Sequence, residues 1–575
     1  INCNIIFVLG LLQKGGVRKQ SYHYYFSIMR VVLHIVLLAI ASVCGDRYHP
    51  ERQQQRQAKN VDAFNPEENK EAFWRDEAKA GIEKRLAQVL NTNKARNVIM
   101  FLGDGMSVPT MAAARTLQGQ RKGHTGEEAQ LYFESFPTVG LSKTYCLNEQ
   151  IADSACTATA YLSGVKGNYG TIGVTGDVPR YNCEASTDTS THLDSIAVWA
   201  LADGRDAGIV TNARITHASP AGVYARVANR GWESDMNVVA SQQDPTVCRD
   251  IAHQLIHTSP GNQFKVILGG GRREFLPNTT QDEENTYGRR TDNLDLIQDW
   301  QTQKASRNLD HKYIWSRTEL LSLMESPPEY TLGLFEDNHI PYHLEAGPEE
   351  PTLVEMTEFA IRSLNRNENG FFLFVESGRI DHAHHDNRIH LALDETLQMD
   401  LAIEKAVELL GVEDTLIVIT ADHAHVMAYN GYTKRGTDIL GASDKIGDDG
   451  IAYMTLSYTN GPGARTPVNN QRVDVTQEDR AVKRCNSIKD TQWMTHAEIY
   501  LESETHGGDD VAVFATGPYH HMFSGLYEQS QIPHLMAYAA CIGPGLHACS
   551  SGALPHPLAL PIYLIAFVLL GNLMR

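Results

Sequence analysis

The chain has 575 residues, with 50 Lys+Arg against 69 Asp+Glu and a formal net charge of −19. That acidity excludes nucleic acid as the main partner, because phosphate backbones require a basic surface. Apolar residues at 42% and charged residues at 21% exclude a disordered chain, and a mean hydropathy of −0.31 excludes a polytopic membrane protein.

Residues 1–28 show no domain-like pattern and read as a non-structural extension, or untranslated leader, upstream of a start at Met29. Met29-Arg30 leads into an apolar run over 31–41 and small residues up to Gly45, so 29–45 reads as a secretory signal peptide. The alternative is a signal anchor with a cytoplasmic tail. Residues 46–550 are then the mature domain. An extracellular address makes its seven cysteines disulfide candidates: Cys146, Cys156, Cys183, Cys248, Cys485, Cys541 and Cys549. No CxxC pair occurs among them, which argues against a thiolate zinc site, and the odd number leaves at least one thiol over. Asn278-Thr279-Thr280 is an N-glycosylation sequon in a polar, loop-like stretch.

Helical periodicity follows Asn65-Pro66 across 65–90, and then apolar runs that end in acids recur. Residues 97–102 end in Gly103-Asp104-Gly105. The run 371–375 ends in Glu376 and leads to Asp381. The run 416–420 ends in Ala421-Asp422-His423, and 511–515 is a further buried strand shortly after His506. Gly269-Gly270-Gly271 reads as a turn after a strand over 264–268, and it lacks the GK[ST] ending of a P-loop. Continuous apolar strands between long helical stretches predict an α/β fold: a central, mostly parallel sheet flanked by helices on both faces. In such sheets functional residues gather beyond the carboxyl ends of the strands. The Gly-, Asp- and Thr-rich stretch 430–500 reads as an insertion or small subdomain. At the far end, Ser550-Ser551-Gly552-Ala553, a short spacer and an apolar tail over 558–570 match the signal for a glycosylphosphatidylinositol (GPI) anchor. Attachment at Ser550 would remove 551–575 as propeptide; the alternative is a plain C-terminal membrane helix. Either reading places the protein on the outer face of the cell membrane.

Asp381-His382-Ala383-His384-His385 packs one carboxylate and three imidazoles into five residues. On a helix, Asp381 and His385 share a face at i and i+4, a spacing that suits a divalent metal. Asp422-His423-Ala424-His425 is a second such cluster, and His506 in Glu504-Thr505-His506-Gly507-Gly508 a third candidate. Nitrogen and carboxylate ligands suit zinc, whereas carboxylate and hydroxyl oxygens suit magnesium. Ser154 opens a run of small helix-compatible residues, where a helix N-terminus favours an anion. A plain N-cap is the alternative reading of Asp153-Ser154. Ser154 has no GxSxG context, so a Ser-His-Asp triad is not indicated.

Taken together, Gly103-Asp104-Gly105-Met106, the segment 153–161, Thr216-His217-Ala218-Ser219-Pro220-Ala221-Gly222, Asn229-Arg230, Glu376 to His385, Thr420 to His425 and Glu504 to Gly508 resemble an animal alkaline phosphatase. The resemblance covers about 65–550, in family order. It implies a phosphomonoester hydrolase that works through a phosphoserine on Ser154, with two zinc ions and one magnesium. Asp381, His385 and His506 would hold the first zinc. Asp104, Asp422, His423 and Ser154 would hold the second, and Asp104, Ser219 and Glu376 the magnesium. Arg230 would grip the substrate phosphate, with His217, His382 and His425 in support.

The resemblance further implies a calcium-like fourth ion near Glu284, the Phe335 carbonyl, Glu336 and Glu350. It implies the disulfides Cys183–Cys248 and Cys541–Cys549. Cys156 stands where many relatives have Gly or Ala, so a Cys146–Cys156 pair is a further expectation, with Cys485 left over; two free buried cysteines are the alternative. By the same resemblance the 65–90 helix and the crown-like 430–500 insertion help form a homodimer. Two rival readings stay open at this point. One is a surface binding protein on an inert phosphatase fold. The other is a related hydrolase of phosphodiesters or sulfate esters, although no Cys-x-Pro-x-Arg signature occurs.

Overall fold

The computed structural model describes residues 64–547, apart from 468, 470 and 477–489. The extension 1–28, the signal 29–45, Cys485, Cys549, Ser550 and the 551–575 tail lie outside the described residues. Residues 445–450 group apart from the rest of the described chain, which forms a single unit.

Ten strands of that unit form one sheet: β1 (Asn97–Gly103), β2 (Thr138–Lys143), β3 (Asp206–Arg214), β4 (Val266–Gly270), β5 (His311–Ile314), β6 (Tyr330–Leu334), β7 (Phe371–Ser377), β8 (Thr415–Ala421), β9 (Val511–Thr516) and β10 (Gly525–Glu528). Their spatial order is β10-β2-β9-β8-β1-β7-β3-β4-β6-β5. Nine run in one direction; β9 alone is antiparallel to both its neighbours, β2 and β8. The glycine run expected as a turn divides differently: Gly269 and Gly270 complete β4, and only Gly271 turns, at φ +91°.

The central strands read as unbroken apolar runs because both faces of the sheet are covered. Every residue of β1, β7 and β8 is buried. The period of two is still present inside those runs. Val98, Met100, Leu102, Phe372, Phe374, Leu416 and Val418 enter one apolar layer, and Ile99, Phe101, Leu373, Val375, Ile417 and Ile419 enter the other. The first layer is closed by the helix Ser154–Ser163, through Ala155, Ala158, Tyr161 and Leu162. The long helix Ile389–Leu410 closes the second.

The expected N-terminal helix is present over Glu71–Leu86, after a short 3₁₀ turn at Pro66–Asn69. None of its residues is buried, and Trp74, Ile82 and Leu86 are exposed. Strands from the stretch after β8 form a separate three-stranded sheet of Met427–Tyr429, Leu456–Gly461 and Ala497–Tyr500.

Candidate functional site

Register brings the acids together. Leu102 is paired with Glu376 on one side and Thr420 on the other, so Asp104 and Asp422 leave their strands level with the end of β7. Because β9 runs the other way, its beginning lies at this same edge. His506, which precedes β9, therefore joins residues that follow β1 and β8. A two-residue antiparallel pairing of His506–Gly507 with Ala424–His425 holds it there. Asp381 and His385 come from the short helix Arg379–His385 after β7. Gly105, at φ +69°, has room for no side chain, because a Cβ would collide with the His425 ring. Its N–H donates to Asp422 Oδ1 at 2.9 Å.

Hydrogen bonding fixes which histidine nitrogens face inward. His506 Nδ1 donates to the Ala152 carbonyl (2.7 Å), and His385 Nδ1 donates to the Glu504 carbonyl (2.5 Å). Both Nε2 atoms then point into the site, 3.1 Å apart. Asp381 Oδ1 lies 3.2 Å from His385 Nε2 and 3.3 Å from His506 Nε2. With each Nδ1 given to a carbonyl, the two Nε2 atoms and the carboxylate can offer three lone pairs to one point, an arrangement that a cation satisfies. His425 behaves differently. Its Nε2 is 2.9 Å from Asp381 and its Nδ1 2.6 Å from Glu504. Burial disfavours its charge, but the two carboxylates outweigh this and push its pKa up to about 10. It is an imidazolium that orients Asp381.

A second set adjoins the first, with the His423 and His506 rings stacked at 3.5 Å between centroids. His423 Nε2 is 3.2 Å from Asp422 Oδ2, 3.5 Å from Asp104 Oδ1 and 3.2 Å from Ser154 Oγ. Burial, with the neighbouring His506, holds the His423 pKa well below its ordinary value, so its ring is neutral and free to ligate. In a third set, Asp104, Glu376 and His217 bring ligand atoms within 4.8 Å of one another. Both Asp104 oxygens, Asp422 Oδ2, Glu376 Oε1 and Ser219 Oγ are buried without a hydrogen-bond partner. Burial and the charges of Asp422, Asp381 and Glu376 drive the Asp104 pKa well above the carboxylate range. Burial likewise takes Glu376 to about 8. Buried, unpartnered carboxylates in mutual repulsion are the donor set that divalent cations bind. The residues present fit metal ions.

Ser154 is the first residue of its helix, capped by Asp153, whose Oδ1 accepts from Cys156 N (3.2 Å) and Gly170 N (3.0 Å). Asp153 Oδ2 accepts from Arg230 Nη1 at 3.0 Å, and Arg230 Nη2 donates to His217 Nε2 at 3.3 Å. Asp104, Asp422 and His423 have no exposed side-chain surface, whereas Arg230 keeps 22% and His385 27%. The site thus opens on the Arg230 and His385 side. A cavity of about 520 Å³ adjoins it there, lined by Tyr342, Arg379, His382 and His385 among others. His382 accepts from Arg379 at 3.0 Å and packs against His217 of the third set, without being a member of any set itself.

Three further residues serve the site in roles that the sequence around them does not announce. Glu504 anchors His425, Thr211 donates its hydroxyl to Glu376 Oε2, and Asp153 holds Arg230 as well as capping a helix. Glu504 had a signal, two residues from His506; Thr211 had none. Elsewhere, Glu336 sits beside Glu284 and Glu350, and burial with their charges pushes it up to about 8. Arg272 already donates to Glu284 at 2.8 Å. Phe335 is buried next to Glu336, and Asn278 is exposed. Cys146–Cys156 and Cys183–Cys248 are disulfides, with Cα separations of 5.7 and 5.8 Å, inside the usual range. Cys541 is disulfide-bonded; its expected partner, Cys549, lies outside the described residues.

The chain is similar to known proteins over most of its length. The family model described as alkaline phosphatase matches residues 95–542. A membrane-bound alkaline phosphatase of Bombyx mori is 57% identical, over 92% of this chain and 96% of its own. The tissue-nonspecific isozyme of Rattus norvegicus is 44% identical, over 88% and 97%. The solved alkaline phosphatase of Thermus thermophilus superposes with a TM-score of 0.54 at 21% identity, covering 81% of this chain and 97% of that one.

Proposed function

The chain belongs to the alkaline phosphatase family and is a metal-dependent phosphomonoester hydrolase, and from that premise we propose how its residues divide the work. Asp381, His385 and His506 hold one zinc, and Asp104, Asp422, His423 and Ser154 a second. Asp104, Ser219 and Glu376 hold magnesium. The observation that carries this reading is the convergence of His385 Nε2, His506 Nε2 and Asp381 Oδ1 on one point, beside a set that includes Ser154 Oγ. When bound, the cations supply the charge that neutralises a dianionic ester and lowers the pKa of a coordinated hydroxyl.

Ser154 Oγ attacks phosphorus, the bond to the alcohol oxygen breaks in line, and the alcohol leaves with a proton. Water then cleaves the phosphoserine and releases phosphate. Arg230 binds two phosphate oxygens through its planar fork, already aimed by Asp153. The amide groups of the first turn of helix Ser154–Ser163 favour the negative charge collecting there. Arg230→Ala is expected to weaken inhibition by inorganic phosphate and raise KM, at a cost of about 1.5–3 kcal/mol for lost charged hydrogen bonds. Turnover should slow without vanishing, as steady-state kinetics will measure.

Hydrolysis of p-nitrophenyl phosphate tests the whole reading. Activity should be lost after chelation and return on adding zinc with magnesium. An inert protein under those conditions would leave a binding role instead, and a preference for diesters or sulfate esters would select the other rival.

The same reading gives a calcium ion to Glu284, Glu336, Glu350 and the Phe335 carbonyl, relieving the crowding that raises Glu336. It gives a glycan to Asn278. Exposed Trp74, Ile82 and Leu86 on Glu71–Leu86 support a homodimer in which a second copy covers that helix. The membrane-bound Bombyx relative supports a membrane location, which the same reading assigns to the cell surface through a GPI anchor at Ser550. Among the described residues no helix is long and apolar enough to cross a membrane. Sedimentation measures the dimer, and release of activity from cells by an anchor-cleaving phospholipase measures the anchor.

A further inference from the structure

We propose that the Cys146–Cys156 disulfide is a positioning element for catalysis: it fixes the segment Ala152-Asp153-Ser154, and through it the phosphate-binding Arg230 and the site histidine His506. The proposal rests on the phosphatase reading. Three consecutive residues here each serve the site. The Ala152 carbonyl accepts from His506 Nδ1 at 2.7 Å, which keeps Nε2 turned inward. Asp153 Oδ2 holds Arg230 Nη1 at 3.0 Å. Ser154 carries the attacking oxygen.

The sheet layer holds them from the helix side, through Ala155 and Ala158, while the approach from Cys146 lies outside that layer. The chain that leads to them is a surface loop, with Leu147 and Ile151 exposed and residues 148–150 exposed between them. Cys146, Ala152 and Cys156 form a small buried cluster of their own, apart from both apolar layers of the sheet. The disulfide joins the start of that loop to the first turn of the nucleophile helix, 10 residues on. Both cysteines are 2% exposed, and Asp153, 1% exposed, lies against the pair, with Cys146 Sγ 4.0 Å from its Oδ1 and the Cys156 N–H on the same oxygen. A cross-link around a loop limits the conformations open to it. Here those conformations set the aim of Arg230 and the height of Ser154, where a shift of about 1 Å can cost up to about a hundredfold.

The test uses the zinc- and magnesium-loaded full chain, with p-nitrophenyl phosphate as substrate and inorganic phosphate as competitive inhibitor. Cys146→Ala with Cys156→Ala should raise the phosphate Ki and the KM about tenfold, and speed zinc loss to a chelator. Cys183→Ala with Cys248→Ala, whose segments bond Ala228 and Trp232 on either side of Arg230, should leave the rate of zinc loss unchanged. In an Arg230→Ala background, removing Cys146–Cys156 should change the Ki by less than about twofold, because the two act through one contact. An unchanged Ki without the disulfide, or a full tenfold loss again without Arg230, would overturn the proposal. If the double variant does not fold, the unmutated enzyme is treated with a phosphine reductant under denaturant titration and alkylated. The Ki should rise with the fraction of Cys146–Cys156 opened, as mass spectrometry reads it; opening without that rise counts equally against the proposal. Failure of the phosphatase reading looks different, since the unmutated protein would then be inert.

Discussion

Replacing Ser154 by alanine is expected to abolish phosphomonoester turnover, by at least about 10⁴-fold, while metal content and fold stay as they are. The change removes a single oxygen. Ser154 Oγ touches His423 Nε2 at 3.2 Å, but His423 is also held against Asp422 and Asp104, so the imidazole keeps its place. The helix keeps its cap as well, because Asp153 and not Ser154 accepts from Cys156 N. Ala155, Ala158 and Leu162 still pack in the sheet layer. The variant should therefore bind phosphate through Arg230 and yet form no covalent phosphoenzyme. Trapping labelled phosphate at low pH measures the second point directly. Substantial turnover in Ser154→Ala would move the nucleophile elsewhere and leave the serine as no more than the first residue of its helix.

How much of this was legible in the sequence depends on the range of the contact. Asp104, Glu376 and Asp422 announce themselves because each ends an apolar run, and a parallel sheet brings such ends to one edge. The i, i+4 pair Asp381 and His385 is local and reads directly. His506 is legible as a residue type but not as a place. It reaches this edge only because β9 is antiparallel, which reverses the end of the strand that matters. Apolar runs carry no mark of direction, so nothing in their composition hints at that reversal. Thr211 is harder still. It meets Glu376 because β3 pairs with β7 in a register that sets Thr211 opposite Glu376, 165 residues away. Asp153 was readable as a cap, from its neighbours, and unreadable as the partner of Arg230, 77 residues on. The mismatch between short-range signals and long-range register also explains the glycine run: its composition suggests a turn, yet two of its glycines pair in the sheet. Gly270 lies too close to the Asn338 backbone to carry a side chain.

Asp381→Asn should be the more destructive of two changes at the other ligand set. Three imidazoles converge on Asp381 Oδ1: His425 at 2.9 Å, His385 at 3.2 Å and His506 at 3.3 Å. Burial alone would raise the aspartate pKa, but these histidines hold it well below the ordinary carboxylate value, His385 foremost. An amide of the same shape puts either its NH₂ or its oxygen where Oδ1 now meets all three rings. With NH₂ there, hydrogens fill the point of convergence and His425 faces a donor. With oxygen there, a lone pair remains but the negative charge is gone. Neither arrangement sets a carboxylate beside the two Nε2 lone pairs, so zinc content should fall by about one ion per chain and turnover by at least about a hundredfold. His425→Ala offers the contrast, since it removes the support and keeps the ligand. Its loss should be smaller and should be partly recovered by raising the zinc concentration, which Asp381→Asn should resist. Metal analysis beside steady-state rates separates the two, and equal, zinc-reversible losses would mean that Asp381 only orients its neighbours.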